Sequence, residues 1–301
     1  SSYSEEISIF QNSAVTSAQI FNGELSFNKN QNSDNYSILI NGAEYYRGSD
    51  TKINLTSVPS EYAGKDVTIG IVSLVNNENK LQDVENVIYY DSKSYDIKAF
   101  VLDVANPVLS STTVSWNNVN NSGSYAVYID EEEVSSTEHN YFDLSTLENF
   151  QDLTNKAGGY LLKIEPMIPA ESVNILKSEK KGEELHFNRF DTPIVNTSNN
   201  LISWQAVEDA NTYVLELTYQ DNTFKTSTSA TSFSLSNYPA GIEYQFKIYV
   251  EGCTIGGVNY LASQEVSLTI SKQTETELDI IDYVLTFDAQ IGERYRIEFA
   301  L

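Results

Sequence analysis

Hydrophobic and polar residues alternate along most of this chain, and the alternation returns at a nearly constant interval. Three short apolar stretches each end in a large aromatic residue, at Phe27, Trp116 and Trp204, which are 89 and 88 residues apart. Successive side chains of a β-strand point to opposite faces, so period-two alternation predicts strands that are buried on one side. A repeat of this length is typical of a small domain and too long for a solenoid turn. We therefore predict an all-β chain built from three tandem domains.

A second strand of each unit begins with a tyrosine, nine residues after the aromatic residue. These tyrosines are Tyr36, Tyr125 and Tyr213. Polar pairs that indicate tight turns follow the strands at Asn41-Gly42, Asp130-Glu131 and Asp221-Asn222. The first pair is a typical hairpin signal, because both residues tolerate a positive φ. An Ala-Gly pair then precedes a further apolar strand in every unit, at Ala63-Gly64, Ala157-Gly158 and Ala240-Gly241.

Proline-containing junctions at 103–107 and 191–193 separate the units, because proline suits a stiff linker or the first edge strand of a domain. The predicted β-sandwiches are residues 13–102, 103–190 and 191–272. Residues 1–12 are expected to be a possible closing strand of a preceding unit, and residues 273–301 a partial fourth β-unit.

The second unit carries an insertion for which the sequence predicts a short helix near 146–156. Ser145 and Glu148 have capping-box spacing, and Gly158 follows as a stop signal. Leu147, Phe150 and Leu153 would then cover one end of the sandwich core.

The two ends of the chain suggest two explanations. Residues 280–299 repeat the first strands of a unit, whereas residues 1–10 resemble a closing strand. The chain is then either a piece of a longer array, or a subunit that self-associates by strand addition at the termini.

Charge and cysteine content narrow the function classes. The 301 residues include 42 acidic and 18 basic side chains, a formal net charge of −24. Such a chain is repelled by nucleic-acid phosphates and by anionic lipid surfaces. No apolar run approaches the ~18–20 residues that span a bilayer. The single cysteine, Cys253, excludes an intrachain disulfide. We expect neither a nucleic-acid partner nor membrane insertion.

Residues suited to catalysis or metal binding are sparse. His139 and His186 are the only histidines, and no serine or cysteine motif accompanies them. The sequence therefore predicts a protein without enzymatic activity and without a cofactor. Calcium at the junctions is the one cofactor alternative, with Asp103 and Asp191 as its candidate ligands.

Two tyrosine pairs are the candidates for ligand contact: Tyr45-Tyr46 and Tyr89-Tyr90. Adjacent residues of a strand face opposite sides, so one member of each pair should be exposed. Such tyrosines suit a glycan or a protein ligand, and the sequence does not choose between them.

The repeated motifs resemble the fibronectin type III family, in the form of tandem modules found in bacterial surface and secreted proteins. The resemblance covers about residues 16–272 and rests on Trp116 and Trp204, on the tyrosine nine residues later, and on Tyr244. Tyr244 follows Ala240-Gly241, where this family often has a tyrosine corner. The first unit departs from the pattern, with Phe27 in place of tryptophan and Val67 in place of the corner tyrosine.

The resemblance implies immunoglobulin-like β-sandwiches and a set of core aromatic residues. That set is Phe27, Tyr36, Trp116, Tyr125, Trp204, Tyr213 and Tyr244. The resemblance alone does not fix a function, because this fold hosts spacers, receptors and adhesins alike. The stiff tandem array, the acidic composition and the lack of a catalytic motif favour a non-enzymatic adhesion or spacer region of a bacterial cell-surface or secreted multidomain protein, located extracellularly. The alternative is a set of accessory, carbohydrate-associated modules of an extracellular polysaccharide-degrading enzyme.

Overall fold

The computed structural model describes residues 7–75, 87–198, 200–272, 279–281 and 284–286. Its regular structure consists of β-strands and a few single-turn 3-10 helices. The chain divides into two compact units: Ser1–Asn188 with Ile255–Asn259, and Arg189–Thr254 with Tyr260–Leu301. The first unit contains the first two predicted sandwiches, and the second contains the third.

In the first sandwich, the sheet β2-β3-β6 faces the sheet β5-β4-β7-β9. Leu25, Tyr36, Ile38, Ile69 and Ile71 are fully buried between them. The strands of this region are β1 (Ser8–Gln11), β2 (Ala18–Phe21), β3 (Glu24–Phe27), β4 (Tyr36–Ile40), β5 (Ala43–Gly48), β6 (Lys52–Asn54), β7 (Asp66–Ser73), β8 (Val87–Tyr90) and β9 (Tyr95–Val101).

Residues 8–11 do not stand apart as the closing strand of another unit. Strand β1 lies parallel to β8, with Ser8 opposite Val87 and Gln11 opposite Tyr90. The next residue, Asn12, is buried, and its side-chain amide donates to the carbonyl of Leu74 (3.2 Å). Because burying an amide requires hydrogen-bond partners, these contacts tie β1 to the first sandwich. The expectation for residues 1–12 is corrected here for the described residues 7–12.

The second sandwich has the same arrangement, with β10-β11-β14 as one sheet and β13-β12-β15-β17 as the neighbouring strands of the other. Strand β16 lies outside these sheets. The strands are β10 (Val108–Ser110), β11 (Thr113–Ser115), β12 (Ser124–Ile129), β13 (Glu132–Thr137), β14 (Tyr141–Asp143), β15 (Tyr160–Met167), β16 (Ile175–Leu176) and β17 (Leu185–Arg189).

The helix expected near 146–156 is replaced by two 3-10 helices, Leu144–Thr146 and Phe150–Asp152. The Asp143 carboxylate, and not a Ser145/Glu148 capping box, accepts the N–H of Ser145 (2.9 Å). Leu144, Phe150 and Leu153 are all buried. Along one α-helix Leu144 and Leu153 would lie about 13 Å apart. Two short turns let both leucines and Phe150 reach the same core.

The third sandwich repeats the plan with β18-β19-β22 and β21-β20-β23-β26. Its strands, with two that follow β23, are β18 (Val195–Ser198), β19 (Leu201–Trp204), β20 (Tyr213–Tyr219), β21 (Asn222–Thr228), β22 (Ser232–Ser234), β23 (Glu243–Val250), β24 (Cys253–Ile255), β25 (Val258–Leu261) and β26 (Val266–Ser271). Three strands therefore face four in every sandwich, and the fold class is all-β and fibronectin type III-like.

Of the partial fourth unit, 273–301, the structure describes one antiparallel hairpin, β27 (Asp279–Ile281) with β28 (Val284–Thr286). The rest of that prediction, including its expected third strand at Tyr295–Phe299, lies outside the described residues. Strand addition between the termini likewise depends on residues outside them.

The predicted turns are confirmed in the first two sandwiches. Asn41 and Gly42 have φ of 51° and 87°, and Asp130 and Glu131 have φ of 50° and 68°. In the third sandwich the turn lies one residue earlier than predicted, at Gln220-Asp221, because Tyr219 pairs with Asn222. This register keeps Tyr219 on the inner face, where its ring lies 5.1 Å from Tyr244.

Candidate functional site

One aromatic pair recurs in all three cores and shows what the repeated motif does. The aromatic residue at the end of β3 and β19, or directly after β11, contacts edge-on the tyrosine near the start of the following strand, β4, β20 or β12. The ring centroids are 4.8 Å apart for Phe27 and Tyr36, 5.2 Å for Trp116 and Tyr125, and 5.4 Å for Trp204 and Tyr213. All six side chains are buried.

The tyrosine of each pair also binds the backbone six residues earlier. Its hydroxyl accepts the N–H of Asn30 in the first sandwich (2.8 Å), of Val119 in the second and of Val207 in the third (both 2.9 Å). The loop before each strand is thus fixed to the core.

Tyr244 is buried as well, and its hydroxyl donates to the Pro239 carbonyl (2.5 Å), as in a tyrosine corner. These contacts make all seven aromatic residues part of the cores and unavailable for a ligand.

Tyr45 and Tyr46 are both half-buried, whereas one was expected to be exposed. Strand β5 contains a β-bulge here: Tyr46 pairs with Ile38 and Glu44 pairs with Leu39, so Tyr45 has no opposite residue. A bulge interrupts strict alternation, and both rings therefore pack against the first core. The Tyr46 hydroxyl also donates to Asp50 (2.7 Å).

Tyr89 and Tyr90 lie on the β1–β8 ribbon and differ in exposure. Tyr89 packs against Phe10, with 5.6 Å between ring centroids, whereas half of the Tyr90 surface is exposed. Alternation places Tyr90 on the same side as Ile88 and as Ile9, which pairs with Ile88. Ile9 is 70% exposed and Ile88 43%. We call the side chains of Ile7, Ile9, Ile88 and Tyr90 the apolar ribbon face.

Sequence reasoning identified Tyr90 but missed its three isoleucine neighbours. Strands β1 and β8 are about 80 residues apart in the chain, and each is only four residues long. The sequence places residues 7 and 9 in a closing strand of a preceding unit and gives no partner strand for them. Only the pairing shows that they form an exposed face.

A second feature lies at the junction of the first two sandwiches, inside the first compact unit. Residues 172–179, the bridging segment, leave the second sandwich between β15 and β17 and lie along the first. Backbone hydrogen bonds join the segment to both sheets of the first sandwich. On the β2 side they are Asn22 N–H to Ser172 O and Asn174 N–H to Ile20 O; on the β9 side, Phe100 N–H to Asn174 O and Leu102 N–H to Leu176 O. Val58 N–H also donates to Lys177 O, and Glu179 N–H to Val58 O.

Leu176 of this segment is completely buried in the core of the first sandwich. It belongs to the same cluster as Ile20, Val58 and Val101. Burying a leucine side chain contributes about 1.5–3 kcal/mol. The second sandwich therefore supplies a core residue to the first.

Two ion pairs lie at the C-terminal end of the bridging segment. Lys177 Nζ lies 2.8 Å from Glu165, and Lys180 Nζ lies 2.7 Å from Asp103. The four residues of these ion pairs, together with Lys163, line a cleft of 160 Å³. Glu179 and Lys181 also line it, so four lysines face three acidic residues and most of the charge in the cleft is paired within the protein.

Asp103, the first candidate for calcium binding, is engaged in this junction. Burial alone would raise its pKa, but hydrogen bonds from Lys180 and from the Val104 N–H outweigh that effect and hold the pKa below its usual value. Asp191, the second candidate, lies in the exposed stretch before β18. Within the described ranges, no three His, Cys, Asp or Glu side chains converge as a metal site requires.

The two histidines occupy exposed positions. His139 stacks on Tyr141 at 5.3 Å, and His186 lies on β17. Among the described residues there is also no helix that is both long and apolar enough to cross a membrane.

Comparisons with known proteins do not assign this chain to a family. No family model and no curated protein matches the chain. Solved structures that are similar over most of its length include chicken CNTN1 FN1-FN3 domains (10% identity, 86% of this chain and 97% of that one, TM-score 0.23). Another is the central fibronectin-III array of RIM-binding protein (10% identity, 85% and 98%, TM-score 0.19). TM-scores this low carry no argument, so the fold assignment rests on the strand order and core contacts.

Proposed function

We propose that this chain is a non-enzymatic spacer and adhesion region of a bacterial cell-surface or secreted multidomain protein, working outside the cell. The observation that supports the spacer role best is the bridging segment. It joins the first two sandwiches through six backbone hydrogen bonds and one buried leucine. Tandem domains without such an interface rotate about their linker, whereas these two form one compact unit.

The adhesion role is supported by the apolar ribbon face. Exposed apolar side chains that cluster on a soluble domain mark interaction surfaces. Three of the four are isoleucines, which offer no flat ring for stacking on a sugar. The partner that fits is therefore an apolar protein surface, and the net charge of −24 favours one with a basic rim.

The spacer role is tested by a distance measurement between the first two sandwiches. Spin labels are attached at Ser49 and Glu132, both exposed, in a Cys253→Ser background. We expect a narrow distance distribution for this protein and a broad one after Leu176→Asp. A broad distribution with the bridging segment intact would rule out a stiff spacer.

The adhesion role is tested on arrays of proteins and glycans. We expect selective binding to a protein that Ile9→Ser and Tyr90→Ala each weaken at least tenfold. Tyr141→Ala is the matched control, because Tyr141 is about as exposed as Tyr90 but lies on the second sandwich. Selective glycan binding would favour the accessory carbohydrate module instead, and no selective binding would leave only the spacer.

A further inference from the structure

The first sandwich has a groove between β2 and β9, the edge strands of its two sheets on one side. Edge strands leave backbone N–H and C=O groups unpaired, and such groups can accept a further strand. Here the bridging segment fills the groove. It bonds to the β2 strand at Ile20 and to the β9 strand at Phe100, and it pairs with β9 in parallel at Ile175 and Leu176.

The occupant of this groove is not part of the first sandwich. Both ends of the bridging segment belong to the second sandwich, with β15 ending at Met167 and β17 beginning at Leu185. The first sandwich therefore completes its core with a residue from another domain, Leu176. Main-chain bonds combined with one side chain in a pocket are the elements of strand addition.

The segment is held by backbone hydrogen bonds and by a single fully buried apolar side chain. Its regular pairing with β9 covers only two residues. Glu171 and Asn174 have φ of 59° and 60°, in the left-handed region, which is costly for a glutamate. Val173 is 62% exposed. Leu176 is thus the main apolar anchor of a segment whose flanks lie at the surface.

We propose that this groove is a strand-acceptor site that also takes the bridging segment of a second copy of the chain. The segment fits the groove, as its own position demonstrates, and any other copy carries the same residues. Charge does not oppose the exchange: residues 170–182 carry three lysines and two glutamates, a net +1 in a chain whose net charge is −24. When the first sandwich of each copy takes the second sandwich of the other, a closed two-fold dimer results, with the linker 103–107 as hinge.

The first test uses a fluorescent peptide of residues 170–182 and the full chain. The wild-type groove is filled, so the peptide should bind weakly. Leu176→Asp removes the apolar anchor of the internal segment, and we expect at least tenfold tighter peptide binding. Val173→Asp is the matched control: it adds the same charge at an exposed position and should behave as wild type. A peptide carrying Leu176→Asp should not bind to any of these proteins.

The second test measures exchange between copies. The wild-type chain and Val173→Asp are unfolded and refolded at high concentration, where we expect dimers by analytical ultracentrifugation. Leu176→Asp should refold without dimers. Wild-type monomers at every concentration, or a folded Leu176→Asp protein that does not bind the peptide, would overturn the proposal.

A further variant covers the case in which Leu176→Asp does not fold. Residues 172–179 are replaced by a Gly/Ser stretch of equal length, and the wild-type peptide is added in excess. Restored folding of the first sandwich, read by circular dichroism, supports the acceptor site. If the peptide restores nothing, the groove does not accept the segment in trans.

Discussion

Trp116 and Trp204 stabilise their cores by packing and not by hydrogen bonding. Both side chains are buried, yet in the described structure the indole N–H of neither has a hydrogen-bond partner. Burying an unpaired N–H is unfavourable, so the tryptophans stabilise their sandwiches through ring volume and edge-on contact with tyrosine. The first sandwich uses Phe27 at this position, which agrees with that view.

We therefore expect different results from two substitutions of Trp204. Trp204→Ala should destabilise the third sandwich by about 3–5 kcal/mol, because it leaves a large cavity. Trp204→Phe should cost well under half as much, since it keeps an aromatic ring and removes the unpaired N–H. Calorimetry of the two variants measures both. Equal destabilisation would contradict the view that an aromatic ring at this position is what stabilises the sandwich.

The tyrosine of each aromatic pair stabilises its sandwich partly through the hydrogen bond that its hydroxyl accepts from the backbone. Tyr213→Phe keeps the ring but leaves the N–H of Val207 without its acceptor. An unsatisfied N–H costs about 1–3 kcal/mol when it is buried, and this one is partly buried, so we expect a loss near the lower end of that range for the third sandwich. Tyr249→Phe, on the half-exposed outer side of β23, is the control and should be close to neutral. Denaturant unfolding compares the two, and similar small losses would contradict a role for the hydroxyl.

At the level of elements, regular strands and tight turns can be predicted from local sequence, whereas β-bulges cannot. Alternation and turn residues predict the paired strands and two of three hairpin turns, because both depend on neighbouring residues. The β-bulge at Tyr45 is different: it depends on how β5 pairs with β4, which the sequence of β5 alone does not encode. A similar bulge interrupts β12 and β13 between Val127 and Tyr128, and it was missed for the same reason.

The bridging segment illustrates the same limit for the candidate sites. Residues 172–179 contain one short apolar pair, Ile175-Leu176, in a polar stretch, which is weak evidence for a strand. Its partners, β9 and Val58, lie more than 70 residues earlier. Lys180, which pairs with the calcium candidate Asp103, likewise lies 77 residues away from it in the chain.

The ion pair at Asp103 makes the junction sensitive to acid. The folded-state pKa of Asp103 is lower than its ordinary value of 3.8, so its contribution to stability is present above pH about 3.8 and is lost as the pH falls through the folded-state pKa. Asp103→Asn should therefore lower the melting temperature of the first unit at pH 6, and the difference from the unsubstituted protein should shrink as the pH falls below 3.8. Asp66→Asn, at an exposed strand end, is the control. A pH-independent difference would exclude the charge as the cause.

For the whole molecule, the two compact units predict how the chain unfolds. Because Leu176 completes the core of the first sandwich, loss of the second sandwich withdraws a core residue from the first. We expect Trp116→Ala, a substitution confined to the second core, to lower the melting temperature of the first sandwich as well. Trp204→Ala, in the other unit, should lower only the transition of the third sandwich.

Calorimetry measures the melting temperatures, and hydrogen exchange reports on single sandwiches. Together they distinguish coupled unfolding of the first two sandwiches from independent unfolding. Hydrogen exchange at Phe100 and Leu102 reports on the first sandwich, since both N–H groups donate to the bridging segment. Exchange at these amides should speed up in Trp116→Ala and stay unchanged in Trp204→Ala. If Trp116→Ala leaves them protected, the two sandwiches unfold independently, and the bridging segment stays in its groove without the domain that carries it.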